Sequence, residues 1–200
     1  MSLPNLLTFL RLPLLFAIVG FLMSAQKGFA TYALVAFLLA FLSDWLDGFF
    51  ARLFNQVTSV GATLDALIDK IFVLGLFLYF FHISLIPAWG FLPLLIILAR
   101  EFLITGLRMC ALMRHRVMAA EQPGKIKTVV QFCSLFFFVL TLFVQRELGG
   151  SPAVMAVGDF LKFAGRLTFA VAAFFTLTSG FYYLWRYRDL LATPREETPA

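Results

Sequence analysis

Four of the eleven acidic residues fall in two short runs, Ser43-Asp44-Trp45-Leu46-Asp47-Gly48-Phe49-Phe50-Ala51-Arg52 and Gly61-Ala62-Thr63-Leu64-Asp65-Ala66-Leu67-Ile68-Asp69-Lys70. On a helix at about 100° per residue, Asp44, Asp47, Gly48, Ala51 and Arg52 share a sector of about 140°, and Gly61, Asp65 and Asp69 share a narrower stripe. The short connection between the runs makes the two helices antiparallel neighbours whose acidic faces can meet. Four carboxylates beside hydrocarbon cannot all stay ionised unaided, so a cation must sit among them. Arg52 and Lys70 can each neutralise one acid. A donor set of oxygen alone, without His or Cys, is however the type that hard divalent cations choose, which points to magnesium or manganese. Two rivals stand beside this reading: pairing of the acids with helix-end bases, and a proton or sodium pathway. Gly48 and Ala51, with Gly61 opposite, leave room for a ligand, although small residues also serve close helix packing.

A second constellation is basic. Arg100 and Arg108 lie within about 80° on one helix face, and Lys125 and Lys127 follow after the next loop. An isolated guanidinium in a membrane helix is costly and requires an anion. Glu101 can form a salt bridge with one arginine but does not easily serve all four cations, whereas a phosphate can engage three.

These groups must be carried by a membrane frame. Of 200 residues, 62% are hydrophobic, 14% are charged and 26 are Phe, which leaves too little polar surface to cover a soluble globule. Collagen-like, disordered and disulfide-scaffold classes are excluded. The net charge of +5, beside long apolar runs, suits anionic lipid and gives no reason to invoke nucleic acid. Apolar windows predict six transmembrane helices near 12–26, 30–50, 62–82, 91–113, 127–145 and 164–185. The expected fold is thus all-α, with residues 1–191 as one membrane-embedded catalytic domain and 192–200 as a disordered cytoplasmic tail.

No basic residue precedes Arg11, so the first apolar stretch is read as an uncleaved span, with Ser2 to Arg11 as a short interfacial helix before it. With the N-terminus in the cytoplasm, twelve of the sixteen Lys and Arg fall on that side, while Lys27, Arg146, Lys162 and Arg166 fall outside. Both termini are therefore expected in the cytoplasm. Cys110 and Cys133, His82 and His115 are given no chemistry, and Tyr182, Tyr183, Trp185 and Tyr187 are read as an interfacial aromatic belt.

Taken together, Asp44-x2-Asp47-Gly48-x2-Ala51-Arg52-x8-Gly61-x3-Asp65-x3-Asp69 resembles the signature of the CDP-alcohol phosphatidyltransferase family at each of its eight fixed positions. The resemblance implies a six-span fold, a homodimer, and displacement of CMP from a CDP-linked lipid or alcohol by a second alcohol. It further implies that Asp44, Asp47, Asp65 and Asp69 hold divalent metal, Mg2+ or Mn2+, as two ions. Asp69 also serves as general base, and Gly48 and Arg52 contact the CDP group beside Ala51 and Gly61. Thr58 is in range of the nucleotide, or is simply a polar loop residue. Asn5, Thr8 and Arg11 resemble the entry-helix pattern of the phosphatidylglycerophosphate synthases within the family. That pattern has Asn5 and Thr8 reading the cytidine and Arg11 a phosphate; a helix cap and a headgroup anchor are the alternative.

The Arg100-Glu101, Gly106-x-Arg108 and Gly124-Lys125-x-Lys127-Thr128 segments resemble the same branch, whose acceptor is sn-glycerol 3-phosphate. Ala66 departs from the Pro found after the third aspartate in many such synthases. The implied reaction transfers a phosphatidyl group from CDP-diacylglycerol to sn-glycerol 3-phosphate, giving phosphatidylglycerophosphate and CMP. The implied location is a bacterial inner membrane with the site facing the cytoplasm. Cardiolipin synthases and inositol-phosphate acceptors are alternatives within the family, and a cation-coupled transporter is the alternative outside it.

Overall fold

The computed structural model describes the backbone of residues 3–24, 26–54, 59–113 and 122–188, and side chains at 10–24, 26–43, 66–111 and 126–188. Among the described residues the chain is helical throughout: α1 (Leu3–Met23), α2 (Phe29–Phe54), α3 (Ser59–His82), a 3-10 turn (Ala88–Gly90), α4 (Phe91–Met113), α5 (Gln122–Glu147) and α6 (Pro152–Arg186). Helices are what an apolar chain must form where no water completes its backbone hydrogen bonds. Ala88–Ala111, Ile126–Glu147 and Pro152–Arg186 are long and apolar enough to cross a membrane, and Leu10–Met23 and Phe29–Ser43 are shorter apolar helices. Phe16, Phe160 and Trp185 stand open on the outer surface, as lipid-facing side chains do. The buried centre is aromatic, with Phe77 edge-on to Phe169 at 5.2 Å and Phe80 against Phe138 at 5.3 Å.

Two elements differ from the hydropathy windows. Leu3–Met23 is one continuous helix, so the stretch before Arg11 is not a separate element; Arg11 is buried at 2% exposure and not at a headgroup surface. In addition, α6 begins at Pro152, far before the apolar window at 164. The Ser151 hydroxyl accepts from the Val154 amide and Pro152 fills the first turn, a start signal independent of hydrophobicity. Lys162 and Arg166 therefore belong to a helix of 35 residues and not to a loop.

Packing fixes the directions. Arg11 of α1 meets Asp69 of α3, and Leu15 of α1 lies where a Cβ on Gly75 of α3 would approach it to 2.9 Å. Both residue pairs advance together, so α1 and α3 run parallel, and Gly75 permits their close approach. Phe37 of α2 stacks on Phe72 of α3 with ring centroids 6.3 Å apart. At the end of the bundle away from the aspartates, Gly28, at φ +93°, turns α1 into α2, and its amide and that of Ala30 donate to the Glu147 carboxylate. Arg146 donates to the Leu22 carbonyl at 2.6 Å, and Arg166 donates to the Leu85 carbonyl at 2.9 Å. Two helix ends and the bend after α3 are thereby closed by charged side chains.

Candidate active site

The acidic half of the site is carried by the α2–α3 pair. Asp44 lies ten residues before the end of α2 at Phe54, and Asp69 ten residues after the start of α3 at Ser59. At about 1.5 Å per residue both sit about 15 Å from the connection, and Asp47 and Asp65 both sit about 10 Å from it. The helix bounds thus keep all four aspartates within about three turns of the connection, and the Phe37–Phe72 stack shows that the two helices touch on the side away from it. Beside Asp44, the Ser43 hydroxyl is buried and has no hydrogen-bond partner. Carboxylate residues on two consecutive helices, with a partnerless hydroxyl one residue before the first, are by their chemistry the oxygen-only type of set that fits a hard divalent cation.

Asp69 is the one aspartate of the four whose side chain is described. It is 37% exposed and ion-paired with the buried Arg11. The carboxylate is therefore held by a cation on one side and open on the other. Arg11, to which the resemblance gives a phosphate partner, pairs with the carboxylate that the resemblance gives as base. The side chains of Asp44, Asp47, Asp65, Arg52, Asn5, Thr8, Ala51 and Lys125, together with the surroundings of Gly48 and Gly61, lie outside the described residues, as do Thr58 and His115 entirely.

The basic half is built by α3, α4, α5 and α6. Glu101 Oε1 accepts from Lys127 and lies 3.5 Å from the Arg100 guanidinium. Lys127 and Glu101 are both buried, at 4% and 5% exposure. One carboxylate thus serves two cations, more than the sequence led us to expect of it. Arg108 is left with a buried Nε that has no partner. Lys70 adds a fourth cation: its Nζ donates to the Ala66 carbonyl at 2.9 Å, and it lies within electrostatic range of Arg100, Glu101 and Arg108. Its position next to Asp69 suggested only a local counter-charge, whereas the fold makes it part of this cluster. Gln131, also buried with a free amide nitrogen, lies one turn after Lys127 on α5.

Tyr183 corrects the aromatic-belt reading. It is 2% exposed, with the Arg100 guanidinium over its ring at 5.6 Å, and it stacks on Tyr187 at 6.0 Å. Tyr182 and Trp185 do face outward. Cys110 and Cys133 are exposed and free.

Adjacent residues of α3 thus link the Arg11–Asp69 pair to the basic cluster. The chain belongs to the CDP-alcohol phosphatidyltransferase family, whose model matches residues 1–178. Among its relatives is a protein of Bacillus subtilis (strain 168), 35% identical over 159 residues, 80% of this chain and 75% of the relative. Another, from Wigglesworthia glossinidia brevipalpis, is 32% identical over 93% of this chain and 96% of the relative. A third, from Escherichia coli (strain K12), is 34% identical over 95% and 97%. All three are named CDP-diacylglycerol–glycerol-3-phosphate 3-phosphatidyltransferase.

Proposed function

We infer that the chain is a phosphatidylglycerophosphate synthase, transferring the phosphatidyl group of CDP-diacylglycerol to sn-glycerol 3-phosphate with release of CMP. The observation that carries the reading is the adjacency of Asp69 and Lys70: one faces Arg11 at the acidic cluster, and the other lies in range of the α4 arginines. Donor pyrophosphate and acceptor phosphate would then meet at a single turn of α3. Asp44, Asp47, Asp65 and Asp69 would hold Mg2+ or Mn2+, two ions, which when bound neutralise the pyrophosphate and stabilise the leaving CMP. Asp69, open on the side away from Arg11, takes the proton of the attacking hydroxyl. Gly48, Arg52, Ala51, Gly61, Thr58, Asn5 and Thr8 line the CDP side, and Arg100, Arg108, Lys125 and Lys127, joined by Lys70, receive the acceptor phosphate.

The reading includes a single catalytic domain over residues 1–191, six spans with the first turns of α1 at the interface, a homodimer, and a bacterial inner membrane with the site and both termini in the cytoplasm. A reporter fused after residue 200 that is active only in the cytoplasm tests the orientation; a silent fusion reverses it. The activity is tested with purified protein, CDP-diacylglycerol, magnesium and separate alcohols. CMP release with sn-glycerol 3-phosphate, and not with serine, inositol phosphate or phosphatidylglycerol, is expected. Release only with phosphatidylglycerol or inositol phosphate reassigns the acceptor, and release with none removes the transferase reading.

A further inference from the structure

Arg100 is gripped from α6 by three residues that follow the part of the chain matched by the family model. The Ser179 hydroxyl lies 3.2 Å from Arg100 Nη2, and Ser179 is fully buried. A Cβ on Gly180 would come within 3.0 Å of Arg100 Cγ, so the aliphatic stem of the arginine runs across the bare backbone there. One turn of helix further on, the Tyr183 ring lies under the guanidinium at 5.6 Å, with 2% of the residue exposed. The three contacts act on different parts of one side chain: a hydrogen bond on its tip, a close approach along its stem, and an aromatic ring within cation–π distance of its charge. Glu101 takes the Nη1 side at 3.5 Å, which leaves the buried Nε edge without a partner.

We propose that Ser179, Gly180 and Tyr183 form a seat that fixes the Arg100 guanidinium toward the anionic group of the acceptor, making them positioning residues for acceptor recognition. A guanidinium offers its donors in one plane, so its usefulness to a phosphate depends on that plane being held. An aromatic face orients the plane at little cost in charge, because the ring attracts the cation without neutralising it. A carboxylate in the place of Tyr183 would consume the charge the acceptor needs. The seat also gives α6 a role in the site beyond packing, since α6 and α4 are in contact.

This inference rests on the transferase reading, and the experiment separates the two. Full-length wild type, Tyr183→Phe, Tyr183→Leu and Gly180→Ala are assayed in detergent with CDP-diacylglycerol, magnesium and sn-glycerol 3-phosphate. Tyr183→Leu and Gly180→Ala are expected to raise the acceptor KM about 10-fold or more, the scale of a desolvated cation–aromatic contact of about 1.4–2 kcal/mol. The donor KM should stay within about twofold, and Tyr183→Phe, which keeps the ring, should retain the wild-type acceptor KM. Equal rises in both KM values, or a Phe variant as impaired as Leu, would overturn the seat and leave a structural role. If wild type releases no CMP with any alcohol, the transferase reading fails by itself. The seat is then judged by thermal stabilisation with inorganic phosphate. Loss of that stabilisation in Tyr183→Leu and Gly180→Ala, with Tyr183→Phe stabilised like wild type, supports it, and any other pattern sinks it.

Discussion

Glu101→Gln is the most informative single change outside the aspartates, because one carboxylate oxygen accepts from Lys127 and faces Arg100. Glu101 and Lys127 are both nearly dry, at 5% and 4% exposure. Removing one member of such a pair leaves a buried charge without its counter-ion, a loss of about 3–5 kcal/mol. At this chain length that corresponds to a fall in Tm of roughly 6–20 °C. Lys127→Met leaves only the carboxylate, which Arg100 still faces, so its loss should be smaller. The double variant should lose about 1–3 kcal/mol less than the sum of the two single losses, the signature of direct coupling.

The same change has a second readout. Without Glu101 the cations lose their resident anion, so sn-glycerol 3-phosphate should stabilise Glu101→Gln at lower concentration than it stabilises wild type; at 100 times Kd, ligand linkage contributes about 2.7 kcal/mol. Thermal unfolding in detergent, with and without the acceptor, measures both effects. A Glu101→Gln variant within 1 kcal/mol of wild type, or one no more responsive to acceptor than wild type, would refute the reasoning that this carboxylate holds the place a phosphate can take.

Asp69→Asn is expected to abolish CMP release while donor binding persists; loss of donor binding would make the residue mainly a ligand. Chelation by EDTA should remove activity, and added magnesium or manganese should restore it, whereas unaffected turnover would eliminate the divalent site. Arg108→Ala should raise the acceptor KM about 10-fold or more with the donor KM unchanged, since a buried charge-assisted contact contributes about 1.5–3 kcal/mol. Glu147→Gln, which weakens bonds to the Gly28 and Ala30 amides, should lower Tm by a few degrees with both KM values intact; a shift in either would mean that the far end of the bundle communicates with the site.

The helices were legible because their interiors are apolar over long runs, and the window at 91–113 coincides with α4. What escaped depends on partners distant in sequence. Tyr183 sits among other aromatics near a basic helix end, and only the Arg100 guanidinium, brought over it by the packing of α4 on α6, distinguishes it from its outward neighbours. Lys70 reads locally as a neutraliser of Asp69, because nothing in a single helix shows that Arg100 and Arg108 lie across from it. Arg11 is a headgroup anchor by periodicity and an Asp69 partner by tertiary structure, since the parallel contact at Gly75 lies outside what one helix can reveal. The start of α6 rests on the Ser151 cap and Pro152, which a hydropathy window weighs only as two residues of low hydrophobicity.

The charge asymmetry along the chain takes a different meaning once these contacts are known. Four basic residues fall on the side away from the aspartates, and two of them, Arg146 and Arg166, are bound to backbone carbonyls at the end of α1 and in the bend after α3. They satisfy backbone acceptors and do not measure the surface charge to which membrane orientation responds. Five of the twelve on the aspartate side, Arg11, Lys70, Arg100, Arg108 and Lys127, are likewise absorbed by the two halves of the site. Setting aside both groups, together with Arg52 and Lys125, to which the proposed function gives ligand roles, leaves five against two, so the bias keeps its sign. Orientation and catalysis thus draw on separate sets of cations, and neutralising Arg100 or Lys127 should impair acceptor use without turning the protein over in the membrane.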